Sequence, residues 1–486
     1  MSKYNWAMKT CTVILACSAA AAALPAQTAT VSPAQVPATL HKFAGKDGKE
    51  LFAGLVQTTN GELYGTASKG GLYNGGTLFK ISTSGSFMIV HDFCQSYNCP
   101  DGSEPTAAVT QGLDGSLYGT TYQGGANMSC GPNYGCGTVF KVTDGTLTTL
   151  YNFCSLSGCI DGSAPQAPLM QGADGNFYGT TNNGGPNGGG TIFKLTPEGA
   201  LATIYTFCSQ IGCSDGDGPT YALALAANGS LFGTTVVGGA NDEGTVFTLA
   251  PNGVFTTLHS FDGADGQNPY GGLLLGTDGN FYGTTMAGGG FNYGTVFKIT
   301  GAGVLTTLYS FTAINGDGAS PDGTLIQATD GGFYGTTLAG GDKRGDGTVF
   351  SITSGGTLTT VGFFDGRDGG YQPLAGVIQD TNGKFYGTTL GGSVAGFGTI
   401  YSLSVGLGPF VETNPISGTV GVTVTILGTN LTSATSVTFN GTAATFAVKS
   451  KSEITTTVPT GATTGTVQVV TTGGTLSSNV PFRVHP

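Results

Sequence analysis

From about residue 30 onward the chain is a succession of short apolar–polar alternations broken by Gly, Asp and Asn. A period of two predicts half-buried strands, and no segment carries the 3.6-residue apolar period of a helix. Residues 165–207 show the form. The pattern predicts strands over 165–171, 176–181, 190–196 and 200–207. Asp174-Gly175 suits a tight hairpin turn, because it tolerates the positive φ angles such turns demand. A Gly-rich stretch joins the second strand to the third, and Pro197-Glu198-Gly199 turns the chain into the fourth.

The same pattern recurs. Tyr/Phe-Gly-Thr begins at Tyr64, Tyr118, Tyr178, Phe232, Tyr282, Tyr334 and Tyr386, at intervals of 50 to 60 residues. Gly-Thr followed by an aliphatic and an aromatic residue begins at Gly76, Gly137, Gly190, Gly244, Gly294, Gly347 and Gly398. A Leu-Thr-Thr-Leu-Tyr-Ser-Phe-like run ends at Phe43, Phe93, Phe153, Phe207, Phe261, Phe311 and Phe364. Four strands per repeat of this length suit a propeller blade. The array opens on the third motif and closes on the second. The seventh unit thus lacks a fourth strand, and the N-terminus carries a spare one. Pairing them would hide two exposed sheet edges. The expectation is an all-β chain: a seven-bladed β-propeller over 39–405, closed by the N-terminal strand, then an immunoglobulin-like β-sandwich over 409–486.

After Gly408 the motifs stop and Thr and Val rise. Val422, Val424 and Ile426 alternate with polar residues, as do Val437 with Phe439 and Val467 with Val469. Pro415, Gly418, Gly428 and Asn440-Gly441 punctuate them, which suits a small sandwich.

The repeats resemble the GloVer tandem-repeat family of exported bacterial proteins. The resemblance rests on the Asp-Gly, Tyr-Gly-Thr-Thr, Gly-Gly and Gly-Thr-Val-Phe-Lys elements, as in 278–300, and it implies no activity. The last segment is similar to an IPT/TIG domain through Pro415-Ile416-Ser417-Gly418, Ile426-Leu427-Gly428-Thr429-Asn430-Leu431, Val437-Thr438-Phe439-Asn440-Gly441 and 458–462. That resemblance implies a spacer or adhesion module.

Composition supports export. Residues 1–26 read as a signal peptide, with Lys3 and Lys9 before an Ala-rich apolar core too short to span a bilayer. Cys17 is a weak lipidation signal, and no later stretch predicts a membrane span. Eight further cysteines fall in close pairs: Cys94/Cys99, Cys130/Cys136, Cys154/Cys159 and Cys208/Cys213. Proximity and an oxidising compartment predict four local disulfides. Metal binding is disfavoured, since the pairs sit in separate repeats without His. A net charge of -11 disfavours nucleic acid.

Residues present in every unit are explained by the blade. Asp114, Asp174, Asp278 and Asp330 mark hairpin turns, and Asp101, Asp161, Asp215 and Asp265 recur before Gly in blade-to-blade loops. Calcium is the alternative reading of these loops, although the EF-hand spacing is missing; no other cofactor is expected. His41, His91 and His259 share a slot with Tyr151, Tyr205 and Tyr309, which a general base would not tolerate. No nucleophile elbow, metalloprotease motif or phosphate loop is present, so no catalytic residue is predicted. Residues that repetition leaves over sit on second-to-third loops: Tyr73, Tyr134, Phe291, Tyr293, Arg344 and Phe397. With the Cys-stapled loops they form a candidate binding face. The function expected is an exported, monomeric binding or adhesion scaffold for a glycan or extracellular protein. The rival is a secreted glycoside hydrolase or lyase, recognisable by a pair of non-turn carboxylates at the ring's centre.

Overall fold

The computed structural model describes residues 30–130, 135–314, 316–341, 344–366, 369–392 and 396–485. The predicted signal peptide, 1–26, and the candidate residue Tyr134 lie outside them. The chain is all-β, and helix among the described residues is confined to three single turns, Ser157–Cys159, Ile211–Cys213 and Leu431–Ser433. No helix there is long and apolar enough to cross a membrane.

Each repeat folds into an antiparallel, propeller-like sheet with its strands in chain order. In unit three the strands are Met170–Gln171, Phe177–Thr181, Thr191–Leu195 and Leu201–Thr206. The first is shorter than expected: Pro165 and Pro168 cannot donate to a ladder, so 165–169 run unpaired.

The motifs are now explained by contacts within the unit. The tyrosine of Tyr-Gly-Thr reaches back to the turn: the hydroxyls of Tyr118, Tyr178, Tyr282 and Tyr334 donate to Asp114, Asp174, Asp278 and Asp330 at 2.8–2.9 Å. Its glycine lies over the aromatic ring of the third strand, Phe193 for Gly179, where a Cβ would collide. The second threonine of Tyr-Gly-Thr-Thr shares a buried hydrogen bond with the threonine of the third strand, Thr181 with Thr191 at 2.9 Å. The glycine opening that strand holds φ between +89° and +102° in all seven units, a region closed to most side chains.

Contacts between units are equally regular. A glutamine ending a first strand accepts a backbone N–H from the preceding unit's turn: Gln111 from Thr59, Gln171 from Leu113, Gln327 from Thr277 and Gln379 from Thr329. The first Thr of Tyr-Gly-Thr donates to the next unit's first segment, as Thr66 does to Ala107 and Thr336 to Ala375. Tyr118, Tyr282 and Tyr334 stack on Phe177, Phe333 and Phe385 of the following unit.

Unit seven makes these contacts with unit one. Thr381 N donates to Gln57 at 2.9 Å and Thr388 Oγ1 to the Ala53 carbonyl at 2.8 Å. Ala38–Lys42 pairs antiparallel with Thr399–Leu403, supplying the seventh sheet's fourth strand. Phe43, Leu51, Phe79, Tyr386 and Ile400 share one buried cluster. An unexpected strand, Thr30–Gln35, lies parallel to Leu358–Phe363 and makes the sixth sheet five-stranded.

The C-terminal segment forms two further four-stranded sheets around one core that includes Val424, Ile426, Val437, Phe439, Val467 and Phe482. It rests on the hairpin-turn side of units seven and one. Phe410 N donates to the Thr381 carbonyl at 3.0 Å, and Ser452 Oγ to the Thr59 carbonyl at 2.9 Å.

Candidate functional site

The loops opposite the hairpin turns gather on one face. Each second-to-third loop bonds to the loop entering its own unit: Gly125 N to the Cys99 carbonyl, Gly185 N to Cys159, Gly239 N to Cys213. The recurrent loop aspartates organise this face internally. Asp161 accepts the Tyr151 hydroxyl at 2.8 Å and Ser155 N at 2.8 Å. Asp215 repeats this with Tyr205 and Ser209. His41, His91 and His259 stand 2.6–3.0 Å from Asp47, Asp101 and Asp265. His and Tyr interchange because either ring presents a donor at the same height, and these carboxylates hold the loop rather than face solvent.

All four predicted cysteine pairs are bonded as disulfides. Three clamp equivalent blade-to-blade loops. Each such loop displays an apolar tip: Tyr97 is 84% exposed, Leu156 51% and Ile211 100%. Side chains ordinarily driven inward are held outward by loops too short to collapse.

The five aromatic and basic candidates among the described residues separate. Tyr73, Phe291 and Tyr293 are exposed on second-to-third loops. Phe397 is half-buried, packed on Gly45 and against the cluster of unit one. Arg344 donates to the Asp365 carbonyl, tying two loops together.

Sequence reasoning missed the centre of this face. The residue after the proline that leads each first strand varies freely: Phe52 (behind Leu51 in place of proline), Thr106, Gln166, Thr220, Tyr270, Asp322 and Leu374. The next is Ala or Gly except in unit four, where it is Tyr221. Small residues let first strands meet; Gly272 N, for example, donates to Thr324 Oγ1 at 3.0 Å. Tyr221 of unit four donates its hydroxyl to Asp322 of unit six at 3.1 Å, past unit five, and its ring lies 5.9 Å from that of Tyr270. Residues two units apart touch only where the first strands converge. Thr180, which faces unit four, has a buried Oγ1 without a hydrogen-bond partner among the described residues, unlike the equivalent threonines at the other junctions. Asp322 is 9% exposed, and burial pushes its carboxyl up to about 7, against the Tyr221 hydrogen bond that favours the charged form. The carboxyl thus keeps its proton closer to neutrality than a free aspartate does, and in that form it can donate as well as accept. Asp322-Gly323 mimics the repeated turn dipeptide, which concealed it. Alignment against Thr106 and Gln166, rather than Asp330, is the signal that would have revealed it.

A shallow hollow of about 340 Å³ lies on the opposite side, lined by Asp330, Tyr334, Ser351 and Thr353. Its tyrosine and aspartate already serve the hairpin turn.

A family model described as Gloeobacter/Verrucomicrobia repeat matches residues 28–223 and 219–447. The second match runs beyond residue 409, the sequence-predicted start of the last domain. No curated protein matches the chain. Among solved structures, the extracellular domain of a hybrid two-component system from B. thetaiotaomicron is similar over 90% of this chain, with TM-score 0.51 and 11% identity. The match spans 54% of that domain, so this chain covers about half its length. A copper-bound fungal alcohol oxidase is similar over 93% of this chain and 100% of its own (TM-score 0.49, 10% identity). A 6-phosphogluconolactonase from Bacteroides uniformis matches over 64% and 83% (TM-score 0.42, 14% identity). At such identities the likeness concerns the fold alone.

Proposed function

The chain belongs to the Gloeobacter/Verrucomicrobia repeat family, described by a repeat and not by a reaction, and from that premise we propose that it is an exported binding or adhesion scaffold. The ligand is a glycan or an extracellular protein held on the loop-rich face. The observation carrying this reading is the division of labour between residues. Repeated side chains bond to one another within and between blades, while the unrepeated ones, Tyr221, Tyr270, Asp322 and the stapled apolar tips, collect on one face. Aromatic rings beside a carboxyl of raised pKa suit a sugar, which offers an apolar ring face and hydroxyls that donate and accept. Rigid apolar tips suit a protein partner, since preorganisation lowers the ordering cost of binding.

The propeller reading is a closed ring of seven blades, monomeric, sealed by the N-terminal strand. It is supported by unit seven's contacts with unit one. The last segment, taken as an immunoglobulin-like IPT/TIG spacer, is supported by two sheets sharing one core. Export is supported by the four disulfides and the signal-like N-terminus.

The enzymatic alternative is favoured by Asp322 alone, whose raised pKa suits a general acid. Burial, not a neighbouring carboxylate, raises it, whereas glycoside hydrolysis ordinarily uses two. A glycan array and an extracellular-protein panel, scored for retention and for cleavage, test both readings. Retention by the wild type that falls at least tenfold in Tyr270→Ala or Ile211→Asp supports the scaffold. Cleavage abolished by Asp322→Asn supports the enzyme, and retention unchanged in all three variants overturns this placement of the site.

A further inference from the structure

Two of the disulfides do not stand alone. The long second-to-third loop of unit two brings Cys130 and Cys136 onto the clamp of the following blade-to-blade loop, Cys154 and Cys159. The sulfurs of all four lie within 4.8 Å of one another, and Cys130 Sγ is 3.4 Å from Cys154 Sγ. Cys136 and Cys154 are buried, at 1% and 6% exposure. Among the described residues no other two cysteine pairs meet. The equivalent loops after units one and three are each held by a single disulfide, Cys94–Cys99 and Cys208–Cys213. The second pair at unit two therefore exceeds what the clamp requires.

Four sulfurs on a closed tetrahedron around zinc lie about 3.8 Å apart, given zinc–sulfur bonds of about 2.3 Å. Two of the separations are the S–S bonds themselves, which must open to reach that value; the sulfurs not bonded to each other, Cys130 and Cys154 at 3.4 Å among them, already lie within 4.8 Å. We propose that Cys130, Cys136, Cys154 and Cys159 form a redox-gated structural metal site: two disulfides when oxidised, one tetrahedral zinc-class divalent ion when reduced. Two dithiol molecules break the two S–S bonds, each becoming a disulfide and passing two hydrogens to the cysteines. Uptake of the ion then releases the four thiol protons. Oxidation reverses this: the four thiolates lose four electrons to disulfide oxidants, two S–S bonds form and the ion leaves. The ion would hold the long loop of unit two on the face where the disulfides now hold it, so the face keeps its shape in either state.

The test is anaerobic titration of the full, reduced chain with cobalt(II) after removal of the reductant. Expected are one cobalt per chain, sulfur-to-cobalt charge-transfer absorption with tetrahedral d–d bands, and displacement of the cobalt by zinc. Cys94→Ser/Cys99→Ser should retain the signal and Cys130→Ser/Cys136→Ser should lose it. Circular dichroism of the reduced chain is recorded alongside. Absence of uptake, uptake that survives in Cys130→Ser/Cys136→Ser, or loss of the β signal on reduction each overturns the site.

Discussion

Tyr401 stands in unit seven where Phe79, Phe140 and Phe193 stand in others, fully buried under Gly387. Its hydroxyl has no hydrogen-bond partner among the described residues. A buried hydroxyl left unsatisfied costs about 1–3 kcal/mol. Tyr401→Phe restores the ring used elsewhere and removes the orphan, so it should stabilise the protein by about 1 kcal/mol, read as a higher urea midpoint at unchanged slope. The turn tyrosines differ in kind. Tyr118, Tyr178, Tyr282 and Tyr334 all have an acceptor in the turn aspartate. The same residue type is thus a repeated strut in one position and a local flaw in another, and only the neighbours tell them apart.

Between elements, the glutamine clasp explains how sheets that share no ladder keep register. Gln379 accepts Thr329 N at 3.0 Å and donates to Thr329 Oγ1 at 3.1 Å, making a two-point bracket across 50 residues. Gln379→Leu removes both bonds and strands a backbone N–H in a part-buried junction. The expected loss is about 2 kcal/mol, seen as a lowered denaturation midpoint. Units four and five replace the glutamine with Leu225 and Leu275, so Leu is tolerated where the junction has adjusted to it. Leu225→Gln should therefore bring no comparable gain. The motif was legible in the sequence as a recurring final residue of the first strand. Its partner was not, because the acceptor and donor sit in different repeats.

At the scale of the whole molecule, the strand Ala38–Lys42 covers the edge of Thr399–Leu403. Deleting residues 30–43 should leave that edge exposed along with part of the unit-one core, and unpaired edges recruit other chains. The expected outcome is aggregation on light scattering at concentrations where solutions of the intact protein stay clear. Acidity acts globally as well. Burial pushes Asp322 up to about 7 and Asp380 up to about 6; burial and the Asp380 charge push Glu412 up to about 7. These groups bind protons in the folded state that the unfolded chain has already released. Between about pH 4 and 7 the folded chain therefore binds more protons, and stability falls as pH rises. The turn aspartates Asp114, Asp174 and Asp278 are held below their usual range by hydrogen bonds that outweigh burial. Their stabilisation is present above about pH 4 and lost as pH falls further. Thermal midpoints should peak near about pH 4–5 and decline toward pH 8, and Asp322→Asn should flatten the decline while leaving the acid limb in place.

Residue spacing alone determined the strand content, the sevenfold count of units, the cysteine partners and the identity of the turn residues. Each of these depends on neighbours within a few positions, where chain geometry admits few alternatives. Tertiary structure decided what depends on distant segments meeting. It joined Tyr221 to Asp322 across unit five, brought two cysteine pairs into one cluster, half-buried Phe397 that spacing had placed on the surface, and laid Thr30–Gln35 beside the sixth sheet. Periodicity records what a residue shares with its counterparts. Contacts between unlike positions of different repeats leave no period, so they can be read only once the chain has folded.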